Sequence, residues 1–201
     1  MSHITSYCLI RNHQVIYNGN VIFQAAHESD DFIDTAFQAL QIQYPKYYKM
    51  DRLSKMGFVA SEVVLKNAEG LSEAVPERRA VLVSNRSSSL DTDRRYLESS
   101  RQIASPSLFV YTLPNIMIGE ICIRHGFKGA NVFFIFNEFN AGFMVQQVEQ
   151  LLNKNKADIC LAGWVEVLDQ SYDVFLYRVE RTRPSNGWEH TTKQVITFYN
   201  Q

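Results

Sequence analysis

Apolar and polar positions change their spacing several times along the chain, and each change marks an element. HQVIYNGNVIFQ, residues 13–24, places Asn18-Gly19 between two short β-prone runs. Both turn residues tolerate positive φ, so the pattern predicts a tight hairpin over residues 7–24. From Asp30 to Leu40, Phe32, Ile33, Ala36, Phe37 and Leu40 recur at helical spacing behind an acidic start, and Pro45 interrupts them. Asp51 is the N-cap expected for RLSKMGFVASEVVLKN, whose stripe of Leu53, Met56, Ala60, Val63 and Val64 needs a sheet to cover it. AVLVSN, residues 80–85, is a continuous apolar run and predicts a strand covered on both faces. SSSLDTDRR after it reads as a solvated loop. SPSLFVYTLPNIMIGEICIRHGFKG contains Pro114 and ends at Gly126 and Gly129, which suits an irregular or helical connection to a strand at 131–136.

The stretch NVFFIFNEFNAGFMV, residues 131–145, then turns an abrupt polar corner. Beyond it Met144, Val145, Val148, Leu151 and Leu152 mark an amphipathic helix with Asn140 as its cap. ADICLAGWVEVL predicts a central strand, SYDVFLYRVERT a strand with one face partly wet, PSNGW at 184–188 a turn, and QVITFYN a final strand. Strands alternating with helical connections indicate an α/β layered fold with helices on both faces of the sheet. There is no internal repeat, low-complexity tract or linker, and 201 residues suit a single domain over 1–201.

Composition narrows the function. Hydrophobic residues at 46% and charged residues at 20% belong to a folding globular chain. A net charge of -1 with scattered Lys and Arg offers no basic face, so neither nucleic acid nor a membrane surface is expected as a partner. No apolar run approaches a membrane span, and the N-terminus lacks a basic segment followed by an apolar one, so the cytoplasm is the expected location. Cys8, Cys122 and Cys160 are far apart, odd in number and flanked by apolar residues, which suits reduced buried thiols. No metal-ligand spacing occurs around His125 or the cysteines, and neither a metal nor a cofactor is expected.

A corner from strand to helix is a place for chemistry, because unpaired backbone N–H groups and the positive pole of the helix converge there. Nucleophilic Ser and Cys occupy such elbows in unrelated folds. Here the sequence becomes specific. LPNIMIGEICIRHGFKGANVFFIFNEFNAGFMVQQVEQLLNKNKADICLAGWVEV, residues 113–167, resembles the central part of the β-ketoacyl synthases of the thiolase-like superfamily. In that family a Gly-Pro strand leads to a Thr-Ala-Cys elbow, a long helix follows, and an Ala-Asp-x-x-x-Ala-Gly-Gly strand comes next. Lys128-Gly129-Ala130 stands at the approach to the strand, and Ala157-Asp158-Ile159-Cys160-Leu161-Ala162-Gly163 at the strand after the helix. Met50-Asp51-Arg52-Leu53-Ser54 is similar to the start of an earlier synthase helix. The likeness fades before residue 50 and after 168.

The resemblance implies half of a thiolase-like fold, with a mixed central sheet of about five strands, helices on both faces and extra β-hairpin elements. Counted from either anchor, Gly129 or Asp158, the family's nucleophilic cysteine falls on Glu138. Phe136 and Asn137 stand for its Thr-Ala, and Phe139-Asn140-Ala141 for the small residues that open the helix. The family's two catalytic histidines and a lysine come from a second half, and none of His3, His13, His27, His125 and His190 lies in its His-Gly-Thr-Gly-Thr motif. The chain is most similar to short ketosynthase-N-terminal-like proteins and, more distantly, to chain-length factors, which lack the cysteine and pair with an active ketosynthase. The implied role is a pseudoenzyme partner in fatty-acid, polyketide or aryl-polyene biosynthesis. The partners so implied are a second copy or a full ketosynthase, and an acyl carrier protein.

Each candidate residue also has a plain reading. Glu138 is either a carboxylate in the nucleophile's place or an acid that suits a helix N-terminus, worth about 0.3 to 1 kcal/mol. Phe133, Phe134, Phe136, Phe139 and Phe143 line an acyl cavity, fill an interface or simply form core. Asn137, Phe139, Asn140, Phe133 and Phe136 are therefore the acyl- or partner-binding candidates. The enzymatic alternative is a malonyl-thioester decarboxylase or thioester hydrolase using Glu138 with Asn137 or Asn140, and a further one is an acyl-chain binder.

Overall fold

A computed structural model describes residues 2–25, 32–66, 74–101, 104–181 and 187–201. The chain opens with three antiparallel strands, β1 (His3–Arg11), β2 (Gln14–Tyr17) and β3 (Asn20–Gln24). Asn18 and Gly19 take φ of 49° and 81°, the two positive values that the predicted tight turn requires. A second turn of the same kind, at Asn12 (φ 48°) and His13 (φ 58°), makes the hairpin one half of a longer meander.

Helix α1 (Phe32–Ala39) buries Phe32, Ile33, Ala36 and Phe37, as their spacing requires, while its expected start at Asp30 lies outside the described residues. Helix α2 (Arg52–Leu65) begins where Asp51 accepts a hydrogen bond from the Ser54 amide at 2.9 Å. Its buried residues run almost all round the helix because the sheet lies on one side and other helices on the other. Strand β4 (Arg79–Asn85) is covered on both faces. Then come α3 (Leu90–Ser100), α4 (Pro106–Val110) and α5 (Asn115–His125), and Gly126 ends α5 in the left-handed conformation at φ 68°. Strand β5 (Asn131–Ile135), α6 (Ala141–Asn153), β6 (Ile159–Leu168), β7 (Ser171–Glu180), β8 (Trp188–Glu189) and α7 (Thr192–Tyr199) complete the order.

The strands form a single mixed sheet in the order β3-β2-β1-β7-β6-β4-β5, with β8 on the end of β1. β4, β5 and β6 are parallel, while β7 runs against β6 and β1. The sheet has eight strands, more than the five or so that the resemblance implies, and the additional β-hairpin expected is present in β2 and β3. On one face α1, α2 and α5 pack over Cys8, Ile10, Val81, Val83, Leu161 and Leu176. On the other, α6 and α7 pack over Ile4, Leu9, Leu82, Ala162, Phe175 and Tyr177.

Three expectations need correction. SSSLDTDRR is not a loop, because most of it belongs to the start of α3. That helix carries little apolar stripe and is held by polar contacts: Thr92 donates to Asp51, Asp91 accepts from the Asp169 amide at 3.0 Å, and Arg95 pairs with Asp91 four residues back. QVITFYN is helical, within α7, because Thr191 caps it from outside and Val195 and Phe198 bury one face at a three-residue spacing. β7 is buried on both faces from Val174 to Glu180, and its polar Arg178 and Glu180 form an ion pair inside the sheet layer. Of the predicted turn PSNGW, residues 184–186 lie outside the described residues, and Trp188 begins β8.

The three cysteines are free, and burial pushes the Cys160 thiol up to about 12 and the Cys122 thiol up to about 11. His125, in the last turn of α5, lies 3.2 Å from Ser61 and from Glu62. Burial drives its imidazole down to about 4, with Glu62 pulling the other way. The unfolded chain takes up this proton near pH 6.5, so stability is complete above that value and falls as the pH drops toward 4. The expected loss is about 3 kcal/mol. Urea unfolding of the wild type and His125→Gln at pH 7.5 and 4.5 measures it, and an equal pH dependence in both would refute the assignment.

Candidate functional site

The elbow joins β5 to α6 at the carboxyl end of the parallel strands. Phe136 continues the ladder through its amide, which donates to the Asn85 carbonyl at 2.9 Å. The chain then leaves the sheet through Asn137, Glu138, Phe139 and Asn140. Asn140 caps α6, its side chain accepting from the Phe143 amide at 3.0 Å. The cap is thus the residue that the sequence pattern predicts. Glu138 is exposed and has no hydrogen bond or ion pair among the described residues.

Aromatic rings fill the space around the turn. Phe136, Phe134 and Phe143 form a trio, with Phe143 5.0 Å from each of the other two rings. Phe139 turns into the core, 4.7 Å from Tyr199, 5.6 Å from Phe175 and 6.2 Å from Trp164. Position 164 is where the resembled motif carries its second glycine, and here a buried indole takes that place. Outside the rings an open groove of about 580 Å³ runs between the elbow and α7. Phe136, Asn137, Glu138, Phe139 and Asn140 form one wall, and Ile196, Tyr199 and Asn200 the other.

Five of the candidate residues therefore meet at one groove. Phe133 does not: it packs with the core on the α5 side of the sheet. Ile196, Tyr199 and Asn200 were hidden from sequence reasoning by the misreading of α7 as a strand. The tryptophan was visible as a departure from the motif.

In chemical terms the groove presents a carboxylate, amides and aromatic surface. The elbow residues carry no thiol or hydroxyl, and none of the described histidines lines the groove. Acyl transfer through a covalent intermediate needs a nucleophile and a base within hydrogen-bond reach. Among the described residues, no group of three or more His, Cys, Asp or Glu side chains could hold a metal ion.

Residues 17–186 match the family described as β-ketoacyl synthase, N-terminal domain. The chain belongs to that family. No curated protein sequence matches this synthase-family chain significantly. Among solved structures it is similar to the ishigamide ketosynthase/chain length factor, with a TM-score of 0.65 and 16% identity over 90% of this chain. It is similar, at TM-score 0.64 and 15% identity over 90% of this chain, to AntDE:AntF, a type II acyl-carrier protein in complex with its ketosynthase bound to the hexaketide. The chain spans 62% of the length of the matched chain in each of these. A third likeness is to the ketosynthase ApeO in complex with its chain length factor ApeC from Xenorhabdus doucetiae, with a TM-score of 0.56 and 10% identity. It covers 99% of this chain and 90% of that one. At such identities the shared property is the fold, here the mixed sheet and two helical layers of a thiolase-like half. Among the described residues no helix of this synthase-family domain is long and apolar enough to cross a membrane.

Proposed function

We propose that this chain is a non-catalytic, chain-length-factor-like partner of a full ketosynthase in fatty-acid, polyketide or aryl-polyene biosynthesis. The observation that carries the reading is the elbow itself. At the position that the resemblance assigns to the family's nucleophile stands Glu138, and the space around the elbow is taken by phenylalanine rings and Trp164, which supports the reading. A carboxylate there neither forms a thioester nor welcomes a malonyl group, whose own charge it repels.

The open edge of the sheet supports a partner role. Among the described residues β5 pairs with β4 alone. The Ala130 carbonyl and the Phe136 amide bond to β4, so the backbone groups of alternate residues Asn131, Phe133 and Ile135 face outward. Val132 and Ile135 are exposed beside them. An unpaired apolar edge strand is a template for another strand, and soluble proteins usually cover or charge one. In the reading proposed here, a ketosynthase strand pairs antiparallel with β5 across a pseudo-two-fold axis, and an acyl carrier protein visits the assembly. Similar structures include a ketosynthase with its chain length factor and a ketosynthase with its carrier protein, which lends the reading support.

The enzymatic alternative is tested directly. Malonyl- and acyl-thioesters of a carrier protein are incubated with the wild type and Glu138→Ala, and release of CO2 or free acid is followed by mass spectrometry. Both proteins are expected to stay at the background rate. Turnover by the wild type that falls at least tenfold in Glu138→Ala would replace the partner reading with a decarboxylase or hydrolase.

A further inference from the structure

Helix α6, which follows the elbow, is tied to the start of α7 by a buried polar node outside the groove's own lining. Glu149, near the end of α6, accepts hydrogen bonds from His190 Nδ1 at 2.7 Å and from the Ser2 hydroxyl. Ser2 Oγ also lies 3.4 Å from the same ring nitrogen, and its carbonyl accepts from the His190 amide at 3.1 Å. His190 directly precedes Thr191, the cap of α7. One imidazole thus joins the N-terminal segment, α6 and the start of α7, and its side chain is fully buried.

The far side of that ring is unfinished. Nε2 of His190 is buried without a hydrogen-bond partner among the described residues, and so is the hydroxyl of Tyr177, whose ring lies 5.8 Å away. With Nδ1–H donated to Glu149, the neutral ring leaves Nε2 as a bare acceptor. A proton there creates a buried donor with no protein acceptor in place among the described residues, on a side chain with no exposed surface. The titratable groups beside the ring are Glu149 from α6 and Tyr177 from β7, and Cys160 of β6 interacts with both of these. Glu189 before it and Lys193 after it are exposed. Burial holds the imidazole below its ordinary value, and the hydrogen bond it donates to Glu149 opposes that shift without cancelling it.

We propose that the Ser2–Glu149–His190 node is a proton-sensitive clamp: with a neutral ring it holds α7 against α6, and protonation of His190 releases α7 and widens the elbow groove. The clamp regulates the groove that the partner reading places at the functional end of the sheet, and it rests on that reading only for its biological meaning. The driving force is the one that moves any buried neutral histidine toward water when it charges. Its effect is local, because α7 has eight residues, buries Val195 and Phe198, and is held at its far end by Tyr199, whose hydroxyl donates to Asp173 at 2.6 Å.

An NMR pH titration of the whole chain tests this without any partner or substrate. The His190 imidazole is expected to titrate below pH 6.5. The amides of Gly142, Ile196 and Asn200 should move with the same midpoint. In His190→Gln those amide shifts should vanish, and in Glu149→Gln, which keeps an acceptor but removes the charge, the imidazole midpoint should fall further. Groove amides that stay fixed while His190 titrates, or that still move in His190→Gln, would overturn the clamp. Failure of the chain to bind a ketosynthase would overturn the partner reading and leave this result intact.

Discussion

Gly163→Ala is expected to leave little or no stably folded protein. Gly163 sits in the middle of β6, paired with Val83 of β4 on one side and Leu176 of β7 on the other. Its φ is +151°, and a Cβ there would lie 1.9 Å from the Phe175 carbonyl oxygen and 3.0 Å from the Leu176 Cα. Both obstacles are backbone atoms of the neighbouring strand, which no side-chain rotation removes. Relief requires β7 to move away from β6, and β7 carries the buried run that both helical layers pack upon. A loss of about 4 kcal/mol or more is expected, a large part of the 5–15 kcal/mol that holds a typical domain together. Gly119→Ala is the control. It lies in α5 with nothing within 4 Å of a new Cβ, and should stabilise by about 0.5 to 1 kcal/mol through helix propensity. Chemical denaturation of both variants checks the pair, and a wild-type midpoint for Gly163→Ala would contradict the packing described for the central strands.

Ile135→Lys is expected to have the opposite profile, with the fold intact and association lost. The side chain is 52% exposed at the end of β5, so the monomer should lose no more than about 0.5 kcal/mol. A lysine on an open edge strand is a device by which natural sheets refuse a further strand. Buried in a strand-to-strand interface, its ammonium would have to be desolvated without a partner. Affinity for a ketosynthase is therefore expected to fall about 100-fold, equivalent to ~2.7 kcal/mol. Calorimetry or surface plasmon resonance reads the loss, and thermal unfolding confirms the intact monomer. Unchanged affinity would move the interface elsewhere on the molecule.

What was legible in the sequence was local. Asn18-Gly19 announces a turn because two adjacent residues must take positive φ, and Asp51 and Asn140 announce helix starts because a side-chain oxygen three residues before an amide has one evident use. The elbow and its strand were legible as well, through apolar run, polar corner and helical stripe in direct succession. Helix α3 was not, since its stability comes from Asp51 and Asp169, residues distant in sequence. Helix α7 was masked by β-branched Val195, Ile196 and Thr197, whose strand preference yields to the Thr191 cap and to burial of Val195 and Phe198. That single misreading hid the second wall of the groove. It also hid His190 as the residue that leads into it. The wet face expected of β7 failed for a related reason: Arg178 and Glu180 form an ion pair inside the layer, which no alternation pattern reveals.

Co-expression with full ketosynthases from the same genome, followed by affinity capture and light scattering, tests the central claim most directly. A one-to-one complex that survives gel filtration with the wild type and dissociates with Ile135→Lys is the expected result. A strictly monomeric chain that retains neither ketosynthase nor carrier protein would contradict it.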